Sequence, residues 1–159
     1  MGPAFGLLHN VLFEGEAAGI PRSTIEAMGM QRKYDACVST YHEIRKRGIR
    51  VVIGGDYGFN ITPFGTNARD IEHFVRHFGY SPSQALICAT HVGAQLMGLG
   101  DQAGLVREGY LADLLLVRAD PVADVSVLQH EDNLAMVRRG GALHKDPRGG
   151  RRSDHGLIR

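Results

Sequence analysis

Ile71, Phe74, Val75 and Phe78 stand at i, i+3, i+4 and i+7, in a stretch whose other positions include Asp70, Glu72, His73, Arg76 and His77. That spacing lays one apolar stripe along an α-helix. Asn67 is placed to cap this helix with Asp70 at N3, and Gly79 to end it. Ser81-Pro82-Ser83-Gln84 follows at once, combining a Ser cap, a Pro in the first turn and a Gln at N3. It opens a second apolar stretch, Ala85 to Met97, that closes at Gly98 and has a candidate break at Thr90. Upstream, residues 22 to 47 read as a helix after Pro21. Its contacts are Ile25, Met28, Met30, Tyr34, Val38, Tyr41, His42 and Ile44, with Gly29 as a candidate interruption and Lys46-Arg47-Gly48 at its end. Residues 1 to 21 are apolar and Gly-rich with no clean period, and no element is assigned to them.

Ile49-Arg50-Val51-Val52-Ile53 is too short for a helix and too apolar for a solvent-facing strand, so it predicts a buried strand, parallel because a helix leads into it. Gly54-Gly55-Asp56 then puts a carboxylate at the strand's C-terminal end, the edge where parallel α/β architectures gather their chemistry. After Gly104 the pattern changes to short strands between glycine turns: Leu105-Val106, Glu108-Gly109, Leu114 to Val117, Leu134 to Val137 and Ala142 to His144, with a short helix over Val122 to Leu128. An α/β portion therefore precedes residue 100 and a β-rich portion follows it.

Length and composition narrow the picture. The chain has 159 residues, 43% hydrophobic and 22% charged, which predicts a soluble folded domain and suggests neither disorder nor a membrane-dominated chain. A complete (β/α)8 barrel takes about 250 residues, so a barrel signature here belongs to part of one. A net charge of +1 argues against nucleic-acid or acidic-membrane partners. Residues 145–159 are net basic without apolar periodicity and read as a disordered tail. Cys37 and Cys88 lack CxxC spacing and read as free thiols of a reducing compartment. With no leader-like N-terminus and no long apolar run, the expectation is a cytoplasmic protein.

Asp56 is the first candidate for chemistry. Its small neighbours leave room for a divalent cation, and its carboxylate can take a proton from metal-bound water; the alternative is a turn-capping role. His73 and His77 have the i, i+4 spacing of a helical zinc site, but HFVRH lacks the Glu of HExxH, so they read as an exposed helix face. His9, His42, His91, His130, His144 and His155 are scattered. Gly54, Gly55 and Gly58 make neither GxGxxG nor a Walker A loop, and Glu14 and Glu16 have no visible partner geometry.

The run VVIGGDYGF (Val51 to Phe59), then PFGTNARDIEHFVRHFGYSPSQALICATHVGAQLMGL, then GLVREGYLADLLLVRADPVADVSVL, resembles the C-terminal part of the metal-dependent amidohydrolases. The nearest look is the imidazolonepropionase-like and dipeptidase-like group, and the resemblance covers about residues 5 to 143. It implies an α/β fold: residues 1–100 as the last strands and helices of a (β/α)8 TIM-type barrel, and residues 101–144 as the C-terminal strands of a small β-sandwich. Asp56 then matches the strand-eight Asp that contacts the metal and handles the proton of the attacking hydroxide. One or two Zn²⁺ ions would polarise an amide-type carbonyl.

The HxH pair, the bridging Lys and the two strand-end His of the family belong to segments that would precede Met1. Gly54-Gly55-Asp56 stands where Gly-Thr-Asp is common, and Phe64 where many relatives carry His. The expectation is therefore an enzyme fragment that hydrolyses C–N bonds of a small-molecule substrate only when the other strands are supplied. The alternative is a noncatalytic subunit. Either way the open barrel edge implies a homo-oligomer or a complementing chain.

Overall fold

The computed structural model describes residues 2–146, so the tail reading at 145–159 falls almost wholly outside the described residues. Where it does not, it is corrected: Lys145 ends a β-strand and donates from Nζ to the Glu131 carbonyl at 2.7 Å.

Six α-helices come first: α1 (Phe5–Glu14), α2 (Arg22–Ala27), α3 (Met30–Lys46), α4 (Arg69–Phe78), α5 (Pro82–Ile87) and α6 (Gly93–Leu96), with a π-helical turn at Cys88–Val92 between the last two. Gly29, at φ 64°, separates α2 from α3, as its position in the apolar stripe predicted. The Ser81 capping box forms in full: Ser81 Oγ accepts from the Gln84 N–H at 3.2 Å, and Gln84 Oε1 accepts from the Ser81 N–H at 3.0 Å. The Asn67 cap does not form. Asn67 Oδ1 accepts instead from the Gly65 N–H, and Asp70 is buried with Tyr57.

The predicted break at Thr90 is the π-helical turn. Thr90 Oγ1 donates to the Leu86 carbonyl at 2.8 Å, a bond that competes with the helical ladder. Gly104, at φ 85°, backs onto the same turn, and a Cβ there would lie 2.7 Å from the Thr90 carbonyl oxygen.

Phe5, Tyr41, Ile44, Val51, Phe74 and Phe78 lead the main core, which also takes in Val125 from the C-terminal half. Val11, Leu12, Ile25 and Met30 form a second cluster between α1 and the α2–α3 corner. Helix α1 lies between the two clusters and buries residues on several sides. It therefore shows no one-sided period, which is why residues 1 to 21 do not read as a helix.

The expected strand at 49–53 is half right. Val51 and Val52 are buried, but the segment pairs with no strand among the described residues, and a strand exists only with a ladder partner. The C-terminal strands, β1 (Leu114–Val117), β2 (Leu134–Arg139) and β3 (Ala142–Lys145), make an antiparallel sheet in the order β1-β2-β3. Gly140 and Gly141, both at positive φ, form the two-residue hairpin loop of β2 and β3, and Asp113 Oδ1 accepts from the Gly140 N–H at 2.7 Å.

Leu105-Val106 and Glu108-Gly109 are not strands: Glu108-Gly109 is a turn and Leu105-Val106 is irregular chain after a bend, with Gly104 and Gly109 at positive φ beside them. The expected helix at 122–128 is a 3-10 helix, Val125–Gln129, capped by Asp124, whose Oδ1 accepts from the Ser126 N–H. Among the described residues no helix is long and apolar enough to cross a membrane.

Candidate functional site

Asp56 follows the buried Val51 and Val52 and is itself exposed. Its backbone is held from two sides. Thr62, fully buried, donates from Oγ1 to the Asp56 carbonyl at 2.7 Å, and the Gly58 N–H donates to the Thr62 carbonyl at 3.0 Å. On the other side Tyr57 donates to Asp70 Oδ2 at 2.6 Å. Burial raises the Asp70 carboxyl above the usual carboxylate range, partly offset by Tyr57 and Arg69. Burial, with Asp70 second, pushes the Tyr57 phenol well above the usual tyrosine range.

Gly55 is required by this packing: a Cβ there would lie 2.4 Å from the Tyr57 ring and 2.6 Å from Asp70 Oδ2. Gly55 thus lets the chain pass close over the Tyr57–Asp70 pair while the carboxylate of Asp56 stays at the surface.

The second constellation is one the sequence reading dismissed. His73 and His77 do not lie on an exposed face. His73 is only 4% exposed and His77 is half-buried, because α1 packs across that side of α4 and brings His9 onto it. The ring centroids are 4.5 Å apart for His9 and His73, 5.4 Å for His9 and His77, and 5.5 Å for His73 and His77. A ring nitrogen of each residue lies within 4.8 Å of the others. The HxxxH spacing was visible in sequence, but its partner sat on a helix with no period to announce it.

Burial, with the neighbouring His9, His77, Arg69 and Arg76, lowers the His73 imidazole to about 3. Burial also lowers His9 and His77 below the usual histidine value of 6.5. Unfolding returns these rings to water, where they protonate near the ordinary pKa of about 6.5. Their contribution to stability is therefore present above about pH 6.5 and is lost as pH falls below it, for His73 down toward its folded value of about 3. Glu14, held low by Arg69, acts in the same direction within the carboxylate range, and Asp70 opposes it there. The urea midpoint of the chain is expected to fall steadily between about pH 7 and about pH 5, where few carboxylates titrate. A midpoint that stays flat over that window would show that the three rings are not buried as neutral imidazoles.

The chain belongs to the amidohydrolase family, whose sequence profile matches residues 40–143. The ochratoxinase of Aspergillus niger is 31% identical over 121 residues, covering 74% of this chain and 24% of that protein. Its crystal structure superposes with a TM-score of 0.76 at 24% identity, over 94% of this chain and 33% of that one, and so speaks to the fold alone. A Bifidobacterium longum protein described provisionally as a prolidase superposes with a TM-score of 0.80 at 28% identity, over 92% of this chain and 35% of that one. A Xaa-Pro dipeptidase with bound methionine in its active site gives 0.60 at 29% identity, over 68% and 25%. The chain thus spans about a quarter of the curated relative's length.

Amidohydrolases generally bind divalent metals, but the described residues do not fit such an ion at Asp56. A zinc centre takes three or more protein ligands. Among the described residues the one group of three or more His, Cys, Asp or Glu side chains with converging ligand atoms is His9, His73 and His77, and Asp56 is not in it.

Proposed function

We propose that this chain is the C-terminal part of a hydrolase of C–N bonds, acting on amide, dipeptide, cyclic amide or carbamate-like small molecules. In this reading residues 1–100 supply the last part of a (β/α)8 barrel and residues 101–144 part of a β-sandwich. Asp56 supplies the carboxylate that takes a proton from the attacking water. One or two Zn²⁺ ions would be held mainly by residues outside this chain, and the protein would be cytoplasmic.

The observation that carries the reading is the surface carboxylate of Asp56 on a backbone held by Thr62 and by the Tyr57–Asp70 pair. Family membership supports the reaction class, as do the names of the relatives, an ochratoxinase and a dipeptidase. Incompleteness is supported by apolar side chains left in water: Leu96 is 70% exposed, Val106 90% and Leu115 59%. Beside Leu96 lies an open cleft of about 430 Å³ of mixed lining, Ile49, Val52, Val92 and Leu96 with Arg50 and Gln95.

The test compares the 159-residue chain with a polypeptide extended by its upstream coding sequence, on acyl-amino-acid and dipeptide substrates with and without chelator. Chelator-sensitive turnover by the extended protein alone is expected. The same turnover by the short chain would overturn its incompleteness, and no turnover by the extended protein would overturn the hydrolase reading. The exposed apolar surface also favours a second reading, a noncatalytic subunit. A stable, monodisperse complex of the short chain in light scattering would support it.

A further inference from the structure

We propose that His9, His73 and His77 form a transition-metal site that clips α1 to α4, taking a dication of the Zn²⁺ or Co²⁺ kind through three imidazole nitrogens. The inference is independent of the role proposed for Asp56.

Four observations carry it. The three rings converge from two helices, with a ligand nitrogen of each within 4.8 Å of the others. The deepest ring, on the 4%-exposed His73, has a buried Nε2 with no hydrogen-bond partner, a costly arrangement unless something else satisfies that nitrogen. The two shallower rings each have Nδ1 engaged. His9 Nδ1 lies 3.3 Å from Asn10 Oδ1, and Asn10 is oriented by its own Nδ2 donating to the Ile61 carbonyl at 2.8 Å. Asn10 thus presents an acceptor, which places the His9 proton on Nδ1 and leaves the Nε2 lone pair open. His77 Nδ1 lies 3.0 Å from the Tyr34 hydroxyl, which can accept an Nδ1 proton in the same way. Ligand histidines characteristically donate their second ring nitrogen to such a partner.

The surroundings suit an ion of intermediate softness. The group contains imidazoles and neither thiolate nor carboxylate, a set that suits Zn²⁺, Co²⁺, Ni²⁺ or Cu²⁺ and not Mg²⁺ or Ca²⁺. Two cations stand nearby, Arg69 and Arg76, and both are tied up: Arg69 grips Glu14 through both terminal nitrogens, and Arg76 pairs with Glu72. Phe5 packs edge-on against His73 at 5.3 Å, and Phe13 lies 4.8 Å from His9. With rings on those sides, three protein ligands leave a fourth position for water.

The experiment is a Co²⁺ titration of the 159-residue chain, read by visible ligand-field absorption and by the thermal midpoint. We expect tetrahedral-type absorption that saturates at one ion per chain, a rise in the midpoint, and no response to Mg²⁺. His9→Gln and His77→Gln should each weaken binding by at least about 10-fold, and Tyr34→Phe by a smaller factor. Asp56→Asn should bind as the unaltered chain does.

A readout without substitution guards against misfolded variants. Co²⁺ should protect His9 and His77 from diethyl pyrocarbonate while the exposed His130 and His144 stay reactive. No saturable Co²⁺ binding, no such protection, or binding that survives both histidine substitutions and is lost in Asp56→Asn would overturn the site. None of these outcomes depends on hydrolysis, so failure here leaves the Asp56 reading to its own test.

Discussion

Replacing Phe78 with alanine is expected to cost about 3–5 kcal/mol of unfolding free energy. Phe78 is fully buried on the last turn of α4, with its ring stacked on Tyr41 at 4.7 Å, edge-on to Phe5 at 4.7 Å and edge-on to Phe74 at 5.3 Å. Those partners come from α3, α1 and α4 itself, so the truncation empties space where three helices meet. Collapse into that space would need helices to move rather than one side chain to turn, which puts the cost at the upper end for a lost aromatic. A domain of this size is stable by about 5–15 kcal/mol, so the variant would lose a large share of its margin. Urea denaturation checks it, with Phe13→Ala as the control because Phe13 is 57% exposed. A Phe78→Ala loss no larger than the control's would mean that the three helices are not joined through this ring.

Which features the sequence disclosed depends on how local their causes are. The α4 stripe, the Ser81 capping box, the Gly29 break and the glycine turn between the strands at Leu134 to Val137 and Ala142 to His144 each rest on residues within a few positions of one another, and each forms. Helix α1 escaped because it packs on two clusters at once, which erases the one-sided pattern that betrays a helix. Asn67 fails as a cap because Asp70 is drawn into the interior by Tyr57, a tertiary contact that overrides local capping.

The same distinction separates the two candidate sites. Asp56 stood out because its glycines and the strand-like run are adjacent to it. His9 is 64 residues from His73, and only the docking of α1 on α4 brings them together. The apolar run at 49–53 marked burial only at Val51 and Val52, Ile49 being 49% exposed, and a strand is a property of a pair.

Asp56→Asn, made in the upstream-extended protein, is expected to lower kcat by about 10²–10⁴-fold, the range for removing a positioned proton acceptor. The substitution separates chemistry from structure because of how Asp56 is held. Thr62 bonds the Asp56 carbonyl, and Tyr57 bonds Asp70, so neither clamp uses the Asp56 carboxylate. Asparagine keeps the side-chain volume and the backbone acceptor and removes only the negative charge and its basicity. The folded stability should therefore move little while kcat falls. If Asp56 instead serves only the turn between Gly55 and Gly58, stability would change and kcat would not. An unchanged kcat would remove the carboxylate from the reaction, and with it the observation on which the hydrolase reading of this chain rests.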